Sequence, residues 1–107
     1  MRQEAVHSFA LAMQRVEAIR QQVQNSNITL VGSSILIKFD FANPQNTHAV
    51  LLDPDHPILH PTHGLQNVPQ QILQNNQEIF DRYRGYYKEG MNGLMLRLAE
   101  IQVGIMN

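Results

Sequence analysis

Between residues 80 and 105 the apolar side chains recur with a helical period. Phe80, Tyr83, Tyr87, Met91, Leu94, Leu98, Ile101 and Ile105 step by 3, 4, 4, 3, 4, 3 and 4. Those spacings put all eight on one face of an α-helix. The stripe predicts a long C-terminal helix over 70–102, with Pro69 suited to its first turn. Gly85, Gly90 and Gly93 fall inside it. Each costs up to about 1 kcal/mol relative to Ala in a helix, so their presence points to a break near Gly85 or to close packing of another element. A stripe this long is more than one short helix can cover, which points to a homodimer or a permanent partner joined through helix faces.

The remaining elements follow from the same kind of pattern. Val6, Phe9, Met13, Val16, Ile19 and Val23 make one stripe and predict a helix over 5–24. Asn25-Ser26-Asn27 ends it, because short amides and hydroxyls compete for backbone hydrogen bonds. Leu30, Ile35, Leu36, Ile37, Phe39 and Phe41 predict a strand from Ile28 to Phe41, and Gly32-Ser33-Ser34 predicts a bulge or close backbone approach within it. Ala42–Asn46 is the turn and Thr47–Leu52 the returning strand, so residues 28–52 form a β-hairpin. Residues 53–69 hold Pro54, Pro57, Pro61 and Pro69 and read as an irregular loop. A hairpin is not stable alone and must lie against the helices. The expected architecture is one small α+β domain over 1–107: N-terminal helix, β-hairpin, proline-rich loop, long C-terminal helix.

Composition removes several function classes. The net charge is −1 and the eight Lys and Arg are scattered, so no basic footprint points to nucleic acid or to an anionic membrane. There is no cysteine, which excludes disulfides, thiol catalysis and Cys-type zinc sites. No stretch approaches the roughly 20 apolar residues of a membrane span, and the N-terminus does not have the apolar run of a signal peptide. The expected compartment is the cytoplasm. The 12 Gln and 9 Asn make an uncharged polar surface suited to protein contacts, although an AT-rich bacterial genome would bias composition the same way. The leading Met1 and the helix that follows suggest a complete chain.

Two clusters carry chemistry-bearing side chains. His48, Asp53, Asp55, His56, His60 and His63 offer enough nitrogen and oxygen for a divalent metal. Asp53, His56, His60 and His63 are its candidate ligands, yet the spacing matches no metal motif and prolines interleave it, so solvated loop histidines are the simpler reading. Ser33-Ser34 lacks the Gly-x-Ser-x-Gly setting of a strained nucleophile. The second cluster is basic and aromatic: Arg82, Tyr83, Arg84, Tyr86, Tyr87 and Lys88 on the long helix. Tyr and Arg dominate the energetics of protein interfaces, which makes these six the candidate partner-binding residues.

Three pieces in order resemble the C-terminal part of the inositol polyphosphate kinase family. Gly32-Ser33-Ser34-Ile35-Leu36 is similar to its Ser-Ser-Leu-Leu strand, and Leu51-Leu52-Asp53-Pro54 to its strand-end Asp motif. Asp81-Arg82-Tyr83 through Gly93-Leu94 is similar to its Asp-x-x-Tyr helix, and the likeness spans roughly residues 9–98. The resemblance implies that Asp53 would hold Mg²⁺ against nucleotide phosphates, with Ser33 and Ser34 as further cofactor-binding positions. The departures are substantial. Pro54 stands where the family has an aromatic, the ATP lobe and the Pro-x-x-x-Asp-x-Lys-x-Gly segment have no counterpart, and the first lysine is Lys38. Phosphoryl transfer needs several charge-neutralising groups at once, and a lone Asp does not supply them. The expected function is therefore non-catalytic, with no cofactor: a protein-binding module that regulates or inhibits a partner protein, an enzyme among the candidates. The alternative is a kinase-like fragment that binds nucleotide and Mg²⁺, or an inositol phosphate, through Asp53.

Overall fold

A computed structural model describes residues 2–26, 28–30, 34–52, 57–59 and 70–107. The elements are α1 (Arg2–Gln24), β1 (Ile28–Leu30), β2 (Ser34–Lys38), a 3-10 turn (Pro44–Asn46), β3 (His48–Leu52), β4 (Pro57–Leu59) and α2 (Gln70–Met106). The architecture is α+β, with a hairpin laid against two helices, as the periodicities predict. α1 begins four residues before its apolar stripe. Glu4 lies in its first turn, where the helix dipole favours a carboxylate. At the other end Ser26 Oγ donates to the Val23 carbonyl at 2.6 Å and the Asn25 amide bonds Gln21 O at 2.9 Å, which closes the last turn.

α2 is one unbroken helix of 37 residues, about 55 Å long. The break expected near Gly85 does not occur. Nor, among the described residues, does another element approach the glycines: a Cβ built at Gly85, Gly90 or Gly93 meets no atom within 4 Å. The helix continues through them because its opposite face is packed along its length, and tertiary packing outweighs local propensity.

The two helices run antiparallel. Gln102 Nε2 donates to Val6 O at 3.0 Å near one end, and Arg84 donates to Gln24 O near the other. Phe9 and Val16 of α1 meet Met91 and Leu98 of α2. Ile35, Ile37, Phe39 and Ala49 of the hairpin close over this cluster, with Phe39 only 4.4 Å from Phe9 between ring centroids. α1 is therefore buried on two sides. Ser8, Leu11 and Ala12 are also buried, although they lie outside the single predicted stripe. They are on the side that receives β3 and the 3-10 turn, both of which contact α1.

β2 and β3 pair antiparallel from Ser34↔Leu52 to Lys38↔His48. β1 pairs with β4 from Ile28↔Leu59 to Leu30↔Pro57. The segment 53–69, expected to be irregular throughout, thus contains a strand. Pro57 is tolerated because it is the first residue of a short edge strand, where the missing N–H breaks no central ladder. Three residues separate β1 from β2 and four separate β3 from β4, so the two ladders differ in register by one residue. The bulge or close approach expected at Gly32-Ser33-Ser34 falls on residues of which only Ser34 is described. The N-terminal third of α2 projects past the end of α1 and runs alongside β1.

A polar bolt fastens the hairpin turn to α1. Ser8 Oγ and Thr47 Oγ1 are 2.5 Å apart and both residues are fully buried. Arg15 Nε donates to Thr47 O at 3.2 Å, and the Asp40 amide approaches Thr47 Oγ1 at 3.4 Å. Asp40 Oδ1 in turn accepts from the Asn43 amide at 2.8 Å, which sets the turn.

The molecule is elongated. Its radius of gyration is 17.4 Å and its extents are 59 × 22 × 18 Å. A compact domain of this length has a radius of about 13 Å. Its accessible surface is 7251 Å². About 6,100 Å² is usual for a monomer of this mass.

Candidate partner-binding site

The six basic and aromatic residues of α2 do not act as one patch. The helix divides them between two sides. Arg84, Tyr87 and Lys88 turn toward α1 and line a cleft of about 270 Å³ with Arg20, Val23, Gln24, Asp81 and Gly85. Arg82 and Tyr86 are exposed, and the Tyr86 ring meets the half-buried Tyr83 edge-on at 5.8 Å between centroids. Sequence spacing along α2 found the α2 half of the cleft. It could not find Arg20, Val23 and Gln24, because nothing local in α1 announces which part of α2 will lie opposite.

Each cation of the cleft has a different engagement. Arg20 is held by Glu17, with its Nε at 2.8 Å and a terminal nitrogen at 2.6 Å from the two carboxylate oxygens. That pairing holds the Glu17 carboxyl below its usual range and raises the guanidinium. Arg84 sits over the Phe80 ring at 5.4 Å and donates to the Gln24 carbonyl, so it caps the C-terminal end of α1 from across the chain. Neither Arg84 nor the exposed Lys88 has a carboxylate partner among the described residues. Asp81, at the rim, accepts from Gln77 Nε2 at 2.9 Å.

Tyr87 is a half-buried residue of the lining. Its hydroxyl oxygen is shielded from water and has no hydrogen-bond partner among the described residues. Burial raises the phenol above its ordinary value of 10, and the neighbouring Arg20 charge opposes that rise. A buried hydroxyl left unpaired costs about 1–3 kcal/mol. The cleft thus combines cations from Arg20, Arg84 and Lys88 with apolar surface from Val23 and the Tyr87 ring.

A second surface was not singled out by the sequence. On the hairpin, Ser34, Leu36 and Lys38 of β2 and His48, Val50 and Leu52 of β3 point outward. Leu36 and Val50 are a cross-strand pair, 53% and 51% exposed, and Leu52 lies beside them. The signal was present but ambiguous. Ile35-Leu36-Ile37 and Ala49-Val50-Leu51-Leu52 are continuous apolar runs, the pattern of strands covered on both faces, and this chain covers only one.

The remaining candidates are placed as follows. Ser34 is exposed at the start of β2, opposite Leu52. Ser33, Asp53, Asp55, His56, His60 and His63 lie outside the described residues, and His48 is exposed opposite Lys38. Among the described residues no three His, Asp or Glu side chains converge as a metal site, and no helix is long and apolar enough to cross a membrane. No family model matches the chain, and no curated protein or solved structure is significantly similar to it.

Proposed function

We propose that this chain is a small non-catalytic protein-binding module that regulates or inhibits a partner protein, and that it works as a homodimer. The observation that carries the reading is the outer face of the hairpin. Two strands with apolar residues on both sides are covered on one side only, leaving Leu36, Val50 and Leu52 in water. Contiguous exposed apolar surface on a small protein marks an interface. The exposed Tyr86, Leu96, Val103 and Met106 along α2 support the same conclusion. A second copy suits the hairpin face, because an antiparallel hairpin meets its own image across a two-fold axis without new residues.

Sedimentation equilibrium over a hundredfold concentration range tests this. The expected result is a monomer–dimer equilibrium that Val50→Lys shifts to monomer while the far-UV circular dichroism is retained. A chain that stays monomeric at every concentration overturns the dimer. The partner-binding reading is tested at Tyr86, which is exposed and whose loss leaves the core intact. Tyr86→Ala is expected to weaken binding of a captured partner by at least tenfold, and unchanged affinity removes this side of α2 from the interface.

The kinase-like alternative rests on the resemblance and on β3 ending at Leu52, immediately before Asp53. Thermal unfolding with ATP, Mg²⁺ and inositol phosphates tests it. A ligand at 100 times its dissociation constant adds about 2.7 kcal/mol to stability. A shift that requires Mg²⁺ and disappears in Asp53→Ala supports that reading, and the absence of any shift removes it.

A further inference from the structure

We infer that the cleft between α1 and α2 receives an acidic, partly apolar peptide segment of a partner protein, with one carboxylate seated at Arg84 and Lys88. The inference rests on the reading of the chain as a protein-binding module and gives that module's partner a chemistry. The size points to one anchoring side chain. Small-molecule pockets usually run from about 300 to 1,000 Å³, and this cleft is about 270 Å³, open between two helices. The charge points to one anion. Arg20 is neutralised by Glu17, Asp81 stands at the rim, and Arg84 and Lys88 remain, so the surplus is enough for a carboxylate and too small for a polyanion. The walls point to an apolar neighbour for that carboxylate, since Val23 and the Tyr87 ring form them. Half-buried Arg and Tyr side chains are the residue types that dominate interface energetics.

Neither Lys88 nor Arg84 has an anionic partner among the described residues, and a carboxylate beside the pair supplies one.

The test is a ¹⁵N-NMR titration of the full chain with acetyl-Leu-Glu-Phe-Glu-amide, alongside acetyl-Leu-Gln-Phe-Gln-amide, inorganic phosphate and ATP. The acidic peptide is expected to shift the amides of Val23, Gln24, Gly85, Tyr87 and Lys88. The amide peptide should bind at least tenfold more weakly, and 0.5 M NaCl should weaken the acidic one. Lys88→Gln, an exposed position whose loss leaves the fold intact, should reduce affinity severalfold. Asp81→Asn should raise it, because a repelling charge is gone. Equal binding of the two peptides, shifts that map away from the cleft, stronger perturbation of the same amides by phosphate or ATP, or an Asp81→Asn chain that binds more weakly would each overturn the inference. A chain that fails here yet forms a dimer sensitive to Val50→Lys leaves the module reading standing and removes only the cleft.

Discussion

Replacing Gly90 and Gly93 together by Ala should stabilise the protein. Both lie well inside α2, and the space where their Cβ atoms would go is open for 4 Å among the described residues. The new methyl groups therefore meet no clash and no packing. What remains is the helix propensity term, about 0.8–1.0 kcal/mol per Gly→Ala exchange, part of which acts through the entropy of the unfolded chain. The two residues share no partner, so their effects should add, giving about 1.5–2 kcal/mol for the pair. For a domain of this size that corresponds to a rise in Tm of roughly 6–10 °C. Differential scanning calorimetry at two protein concentrations measures it directly. An unchanged or lower Tm would refute the reasoning. It would mean that the exposed face of α2 is occupied in solution, with the glycines permitting a close approach that a methyl group blocks. A deficit that grows with protein concentration would identify another copy as the occupant.

Other perturbations probe the core and the polar contacts. Phe80→Ala removes a ring that is almost wholly buried and should cost about 3–5 kcal/mol in urea unfolding, a large share of the stability of a domain this small. Ser8→Ala and Thr47→Val should each cost about 1–3 kcal/mol by orphaning the other hydroxyl, while the double variant should cost less than their sum, a coupling that a double-mutant cycle reads. Tyr87→Phe should be neutral or stabilising, because the hydroxyl it removes has no partner. Burial raises the Tyr87 phenol, so the folded chain holds that proton more tightly than the unfolded one. The stability this contributes is complete below pH 10 and is lost as pH rises through the folded value; chemical denaturation between pH 8 and 11 should show a loss that Tyr87→Phe reduces.

The elements that pack through their own periodicity were legible in the sequence. The stripe from Phe80 to Ile105 identified α2, and the stripe from Val6 to Val23 identified α1, because a core-facing helix repeats its signal every turn. Three features were not legible, each for the same kind of reason. The burial of Ser8 depends on Thr47, 39 residues away, and a lone Ser on a helix does not indicate that it has a buried partner. β4 follows from pairing with β1 across most of the hairpin, while its local text, Pro57-Ile58-Leu59 between prolines, argues for a loop. The glycines of α2 were read as a break or a close contact because propensity alone offers no other reason for them, and α2 runs unbroken with open space beside them among the described residues. At the candidate site, Arg84, Tyr87 and Lys88 were nameable in advance and their grouping with Arg20 and Val23 was not, since antiparallel registration of two distant helices decides it.

That registration has a consequence for how the chain comes off the ribosome. Val6 is met by Gln102, and Phe9 and Val16 share their cluster with Met91 and Leu98. α1 is synthesised well before α2, in which it has its docking surface. At translation rates of about 5–20 residues per second, its apolar side waits several seconds with only the hairpin to cover it. Native closure waits until Met91 and Leu98 have emerged. A transcript truncated before residue 91 yields a polypeptide with a permanently uncovered first helix, one that cellular quality control can distinguish from the finished product by that exposure alone.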